Sequence, residues 1–261
     1  MNIKLSTKNV HIGKLRHQLR QLGKSLQREH VMPVITIDGP AASGKGVIAG
    51  MLAQEMRWNL LDSGVFYRAV AYVAQERGVE RGQVDLIELA RNPPFFLCRP
   101  APWLPPSVFF EGRDITRFVR TEEIADIASK IATIGEVRGA LMLRMLAEKN
   151  TPGLIADGRD MGTVVFPDAT IKIFTVSQLE VRAKRRFEQA MEDKGEGSLL
   201  GIMQTIQMRD RRDEMRAIAP LKPAKNAIII DSSQMTVVET FCHVVSGLIG
   251  RNEAPLHSVT K

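Results

Sequence analysis

The segment Gly39-Pro-Ala-Ala-Ser-Gly44-Lys45-Gly46 constrains the fold of this 261-residue chain more than any other feature. It matches the pattern G-x-x-x-x-G-K between a short apolar run at residues 34–37 and a helical pattern at about 45–56. Glycines let backbone N–H groups converge on phosphate oxygens, the helix N-terminus attracts the same anion, and Lys45 adds a mobile positive charge. The alternative is a glycine-rich turn with an incidental lysine. The predicted nucleotide-phosphate residues are Gly39, Pro40, Ala41, Ala42, Ser43, Gly44, Lys45, Gly46 and Val47.

The rest of the chain alternates short apolar runs with helical patterns. Four further runs, at residues 59–62, 154–157, 171–176 and 227–231, predict strands. Such alternation is typical of a mostly parallel sheet covered by helices on both faces. We therefore expect the α/β class, with the three-layer fold of P-loop NTPases and a five-stranded, mostly parallel sheet.

One region breaks this rhythm. Six prolines lie between residues 93 and 106, followed by a β-rich run at 108–110. We interpret about 85–125 as an inserted subdomain whose proline-rich part is irregular. Helices are expected at 121–133 and 136–149, leading back to the sheet.

The first thirty residues carry most of the positive charge. Seven basic residues and one acidic residue give this segment +6 of the formal net charge of +7, so the main body is nearly neutral and is not expected to bind nucleic acid. Ile12, Leu15, Leu19, Leu22 and Leu26 recur at helical spacing within it. The segment is open to two interpretations. It is a solvated extension upstream of a start at Met32, or it contacts RNA, a membrane surface or a partner, or targets the protein.

We expect residues 1–31 to be a basic extension that adds nothing to the core, and residues 251–261 to be a flexible tail. Cys98 and Cys242 are far apart and lack metal-ligand spacing, so neither a disulfide nor a zinc site is expected. No apolar run approaches the length of a membrane span. A cytoplasmic protein without membrane or nucleic-acid partners is the simplest expectation.

The phosphate loop lacks one common feature. Gly46 and Val47 offer no hydroxyl where many P-loop proteins place a Mg²⁺ ligand. A metal would then be held by ATP oxygens, water and carboxylates, with Asp157 and Asp38 as candidates. The alternative for each is a strand-end acid that caps a nearby turn. No residue is singled out as a direct ligand.

Four segments together resemble the bacterial cytidylate kinases, which are P-loop nucleoside monophosphate kinases. They are ITIDGPAASGKG at 35–46, LLDSGVFYR at 60–68, GLIADGRDMGTVVFPD at 153–168 and RDRRDEMRAIAPL at 209–221. The resemblance covers about residues 33–250 and defines a kinase core at 32–250. Val47 departs from the threonine that is usual in the family.

The resemblance implies transfer of the ATP γ-phosphate to CMP or dCMP, with Mg²⁺ as cofactor. It implies that about 85–125 form the monophosphate-binding subdomain and about 177–197 a lid, with Lys45, Asp157 and Arg159 as catalytic residues. It places Arg68, Arg159 and Arg216 on the acceptor phosphate, helped by Ser63. It places Ser129, Arg138 and Asp160 on the base, and Arg209 and Asp213 on the sugar. Arg182, Lys184, Arg185 and Arg186 would supply lid cations.

Other interpretations remain at this point. Taken singly, Arg68, Ser129 and Arg138 are also typical of solvated helix faces, and residues 209–213 of a helix with internal ion pairs. Two other enzyme activities also remain open: a kinase for another monophosphate, and a small-metabolite kinase of the shikimate type. A non-catalytic P-loop switch or an RNA-anchored ATPase also fits the loop. A monomer is expected, because such kinases open and close around two substrates.

Overall fold

The computed structural model describes residues 3–79, 84–194 and 197–253. The helices are α1 Ile3–Glu29, α2 Lys45–Met56, α3 Ser63–Glu76, α4 Val84–Arg91, α5 Thr116–Val119, α6 Glu122–Ile131, α7 Gly135–Ala147, α8 Leu179–Lys194, α9 Leu199–Glu214 and α10 Val237–Glu253. The strands are β1 Val34–Asp38, β2 Asn59–Asp62, β3 Phe95–Cys98, β4 Ser107–Phe110, β5 Arg113–Asp114, β6 Leu154–Gly158, β7 Ile171–Val176 and β8 Ile228–Asp231. One π-helical turn, Met161–Val165, follows β6.

The central sheet has the five predicted strands in the order β2-β6-β1-β7-β8, and every neighbouring pair is parallel. Its side chains alternate between two apolar layers, as the period of two in a strand requires. In β6, for example, Leu154 and Ala156 pack under α3, α6 and α7, whereas Ile155 packs toward α2 and α10. The α/β three-layer prediction is confirmed.

The inserted region contains a second sheet. β3, β4 and β5 form an antiparallel sheet between α4 and α5, with Phe95 opposite Phe110 in the β3–β4 register. The expectation of irregular backbone across the proline-rich stretch is therefore wrong for β3, which lies between two proline groups. It is right for residues 99–106, which contain no regular element. The two helices expected next are α6 and α7.

Helix α1 is part of the core, which corrects the expectation for residues 1–31. Leu15, Leu19, Leu22 and Leu26 are buried in the apolar layer that contains residues of α2 and α10. The basic side chains between them face outward, and Arg16 and Arg20 pair with Glu55 of α2. The amphipathic pattern was visible in the sequence, but the groove that it fills is formed by distant elements.

The C-terminal end of the chain also departs from the expectation. Helix α10 continues to Glu253, three residues into the predicted tail, and residues 254–261 lie outside the described part of the chain. Cys98 and Cys242 are free thiols. Across the three described ranges, no helix combines the length and apolar character needed to cross a membrane.

Candidate active site

The candidate site is a cleft of about 830 Å³ at the carboxyl ends of the parallel strands, where α/β folds usually place ligands. The phosphate loop follows β1, Ser63 follows β2, and Gly158, Arg159 and Asp160 end or follow β6. The cleft brings together all nine residues predicted for the acceptor side: Ser63, Arg68, Ser129, Arg138, Arg159, Asp160, Arg209, Asp213 and Arg216. Residues that lie between positions 63 and 216 of the sequence thus share one surface.

Six of the predicted loop residues line the cleft: Ala41, Ala42, Gly44, Lys45, Gly46 and Val47. The other three residues, Gly39, Pro40 and Ser43, do not line the cleft, and Gly39 and Ser43 contact β7. A Cβ on Gly39 would stand 2.2 Å from Oγ1 of Thr175, so only glycine fits between β1 and β7. Ser43 Oγ lies 2.9 Å from the same Thr175 oxygen. The loop is therefore fixed against β7.

Lys45 and Asp157 are two buried charged groups that influence each other beside the phosphate loop. Burial, then repulsion from Arg159, lowers the pKa of Lys45 to about 8, and its amine donates to the Pro40 carbonyl at 3.3 Å. Burial raises the pKa of Asp157 to about 6, although Lys45 acts in the opposite direction. A Cβ on Gly46 would stand 3.0 Å from Asp157 Oδ2. The carboxylate therefore faces the loop.

Asp157 also fits the oxygen chemistry that Mg²⁺ prefers. Its Oδ1 is buried and has no hydrogen-bond partner among the described residues, and Asp62 is its direct neighbour in the β2–β6 register. The described residues contain no group of three or more His, Cys, Asp or Glu that could hold a metal. A cation here would therefore also rely on nucleotide oxygens and water.

Asp38, the other predicted candidate, differs from Asp157 because both of its carboxylate oxygens have hydrogen-bond partners. Its two oxygens accept hydrogen bonds from the backbone N–H groups of Met161 and Gly162, each at 2.8 Å. Burial raises the pKa of Asp38 to about 7. The side chain is a strand-end acid that holds the π-helical turn after β6, as the simpler interpretation proposed.

On the acceptor side, one carboxylate holds two arginines. Arg159 Nε donates to Asp213 Oδ2 at 2.9 Å, and Arg216 donates to Oδ1. Burial acts to raise the pKa of Asp213, but Arg159 and Arg216 outweigh it and hold the pKa below its usual value. Arg68 lines the same cleft, and burial together with repulsion from Arg159 lowers its pKa. All three arginines therefore line one cleft.

The cleft also contains a set of buried polar groups. Arg138 forms an ion pair with Asp160 and donates to the Ala132 carbonyl at 3.2 Å. The Arg138 guanidinium lies 5.7 Å from the ring centroid of Tyr67. Within the described residues, Ser129 Oγ and the Tyr67 hydroxyl are buried without a hydrogen-bond partner. A bound polar ring would find both charged and neutral partners here.

The structure separates the four cations that were predicted for a lid. Arg185 and Arg186 line the cleft, whereas Lys184 is exposed. Arg182 is buried in an ion pair with Asp210 on α9, outside the cleft lining. The expectation that Arg182 supplies charge to the cleft is wrong, because its guanidinium pairs with Asp210 and donates to the Ala41 carbonyl.

Two site residues were missed from the sequence. Glu122, at the start of α6, accepts from Arg186 of α8 and from Arg209 of α9, the latter at 3.1 Å. It thereby connects the inserted region to both helices of the α8–α9 hairpin. Asp210 binds the phosphate loop. Each is an ordinary polar residue on a helix, and only tertiary structure distinguishes it.

The family model for cytidylate kinases matches residues 35–248. The chain belongs to the cytidylate kinase family. Curated cytidylate kinases from Nitrosococcus oceani and Pseudomonas putida are each 45% identical to it. The alignment with the first covers 85% of this chain and 98% of the relative, and that with the second covers 84% and 97%. The cytidylate kinase match begins after α1, so that helix lies outside it.

A solved gluconokinase from Sinorhizobium meliloti is also similar, with a TM-score of 0.44 and 12% identity. That likeness covers 85% of this chain and 94% of the gluconokinase.

Proposed function

We propose that this protein transfers the γ-phosphoryl group of ATP to CMP or dCMP, giving ADP and CDP or dCDP in pyrimidine nucleotide metabolism. Membership of the cytidylate kinase family supports this activity. The observation that carries the proposal is one continuous cleft lined both by the phosphate loop and by the buried Arg138–Asp160 pair. A kinase acting on a nucleoside monophosphate requires both ends.

ATP is the co-substrate, and we assign its phosphates to the loop at residues 39–47. The amides that follow Gly44 lie at the N-terminus of α2, where the helix dipole favours an anion. Lys45 would contact the β- and γ-phosphates. Because burial lowers the pKa of Lys45, an adjacent phosphate would restore its preference for the protonated form.

The acceptor phosphate is assigned to Arg68, Arg159 and Arg216, with Ser63 nearby. Arginine suits this task because its planar guanidinium donates to two phosphate oxygens at once. Asp213 holds two of these arginines, so less order has to be gained when the nucleotide binds. We also assign Asp213 and Arg209 to the sugar.

The base is assigned to the pocket formed by Ser129, Arg138 and Asp160. A carboxylate oxygen of Asp160 would accept from the cytosine amino group, while Arg138 and Ser129 donate to the O2 and N3 edge. Uracil carries an oxygen in place of the amino group, and that oxygen would face a carboxylate. A buried site that leaves polar groups unpaired discriminates strongly between analogues.

No general base is required, because the attacking oxygen belongs to an already anionic phosphate. The protein's contribution is to hold two nucleotides end to end and to neutralise the charge between them. Lys45 acts from the loop, Arg159 from the end of β6, and Arg185 and Arg186 from α8. Closure of the lid at about 177–197 over the cleft would exclude water and suppress hydrolysis of ATP.

We propose that Mg²⁺ accompanies ATP and is held on the protein side by Asp157. The ion would offset negative charge on the β- and γ-phosphates. The partnerless Asp157 oxygen and the missing hydroxyl at Gly46 both support this assignment.

We further propose that the protein works as a monomer in the cytoplasm. A kinase that opens and closes around two substrates can do so as a single chain, and both cysteines are free, as in a reducing compartment. Light scattering after gel filtration tests the first point, because a monomer has the 29.0 kDa mass of a single chain.

The deciding experiment measures ADP formation with CMP, dCMP, UMP, AMP and GMP as acceptors, and with no acceptor. We expect kcat/KM for CMP and dCMP to exceed that for the purine monophosphates by at least about 100-fold. ADP formation that does not depend on an acceptor would instead favour an ATPase, and equal rates with all five nucleotides would contradict the base assignment.

A further inference from the structure

The backbone of Ala41, inside the phosphate loop, is held by a buried ion pair from two other elements. Asp210 of α9 accepts from the Ala41 N–H at 3.0 Å through Oδ1, and Arg182 of α8 donates to the Ala41 carbonyl at 2.9 Å. Arg182 also pairs with Asp210 Oδ2 and donates to the Ser177 carbonyl at 2.9 Å. The same two side chains thus bind both polar groups of one loop residue.

This arrangement is rigid as well as polar. The side chains of Arg182 and Asp210 are 8% and 10% exposed. Ala41 packs with Ala183 and Ile206 in a small apolar cluster, so the loop cannot move without disturbing α8 and α9. A buried ion pair is weak support for stability in itself, which leaves positioning as the better reason for its presence.

Helix α9 connects this contact to the acceptor side of the cleft. Arg209 and Asp213 are four residues apart and share one face of the helix, toward the acceptor. Asp210 follows Arg209 and is rotated by about 100° around the axis, which directs it to the loop. A single helix therefore touches the element that carries ATP and the residues that carry the monophosphate.

We propose that the Arg182–Asp210 pair is a positioning device. It fixes the distance between the phosphate loop and the acceptor-binding face of α9, and so sets the γ-phosphorus of ATP in line with the attacking oxygen. This proposal rests on the proposed function. It assigns the pair no contact with either nucleotide, because neither side chain lines the cleft.

The test uses the double variant Arg182→Met with Asp210→Asn, which removes both charges and leaves none buried and unpaired. We expect kcat with CMP to fall roughly 10- to 100-fold, since small misplacements of reacting groups have effects of this size. The KM values for ATP and CMP should stay within about 3-fold of wild type, because both binding surfaces remain. Thermal unfolding confirms that the variant is folded at the assay temperature.

Two further variants make the result specific. Arg182→Lys keeps the charge beside Asp210 and should recover part of the lost kcat. Arg211→Met changes an exposed cation on α9, next to Asp210 in the sequence, and should leave kcat unchanged. A folded double variant with normal kcat would overturn the proposal, and so would a defect confined to the KM for ATP, which would make the pair part of the ATP site. If the wild-type protein makes no ADP with CMP, the proposed function fails first and separately.

Discussion

Arg159 donates from Nε to the carboxylate of Asp213 at 2.9 Å, and the second oxygen of that carboxylate accepts from Arg216. The Asp213 side chain is 5% exposed, so the pairing is shielded from solvent. One buried negative charge thus sets the direction of two guanidinium groups that we assign to the acceptor phosphate. The acceptor half of the cleft is organised by the protein's own ion pairs.

Replacing Asp213 with asparagine should therefore weaken use of the acceptor more than use of ATP. The amide keeps the shape but loses the charge that orients Arg159 and Arg216. We expect kcat/KM for CMP to fall at least about 100-fold, the scale seen when a charged partner is removed from a buried pair. The KM for ATP should change little. Asp126→Asn is the control. Asp126 of α6 pairs with Arg212 of α9, the helix that carries Asp213, and neither residue of this pair lines the cleft. Equal losses in both variants would contradict the assignment.

Asp160→Asn tests the base pocket. An amide can donate to the uracil O4, whereas a carboxylate repels it, so we expect the ratio of kcat/KM for CMP over UMP to fall at least about 10-fold. Steady-state rates with both nucleotides give this ratio directly. Asp168→Asn, an exposed change in the same segment, should leave the ratio as it is. An unchanged preference in Asp160→Asn would show that another group recognises the base.

The sequence predicted the secondary-structure elements better than the tertiary contacts between them. All five strands of the central sheet were visible because each is a short apolar run between helical patterns. Strand β3 was missed because prolines flank it on both sides and local rules favour irregular backbone there. Its pairing with β4 is a tertiary contact that local sequence does not encode.

The same contrast holds for the site residues: their positions could be predicted, but their contacts with other side chains could not. The resemblance identified the nine acceptor-side positions that line the cleft, since short motifs carry them. It did not separate Arg185, which lines the cleft, from Arg182, which binds Asp210. Nor did it indicate that Glu122 joins the α8–α9 hairpin. These roles depend on which polar group finds which partner across the fold.

Deprotonation of Lys45 should lower the activity at alkaline pH. Burial and the nearby Arg159 lower its pKa to about 8, and only the protonated amine can neutralise the transferring phosphate. Because kcat/KM reports groups of the free enzyme, we expect kcat/KM for ATP to decline as the pH rises above about 8. Lys45→Met should lose roughly 100- to 1,000-fold in kcat, as when one preorganised donor is removed, and should lack this alkaline limb. A limb that persists in Lys45→Met would belong to another group.

Helix α1 should stabilise the fold without contributing to catalysis. Leu19 is fully buried among residues of α2 and α10, yet α1 lies outside both the cleft and the family match. We expect Leu19→Ala to lower the free energy of unfolding by about 2–5 kcal/mol, measured by urea denaturation, with kcat unchanged at a temperature where the variant is folded.

Deletion of residues 1–31 should lower the free energy of unfolding more strongly than Leu19→Ala, because it exposes the groove that four leucines fill. Gln21→Ala, on the exposed side of α1, is the matched control. Full stability after the deletion would show that this packing contributes nothing, and a lost kcat in a folded Leu19→Ala variant would show that α1 acts on the phosphate loop through α2.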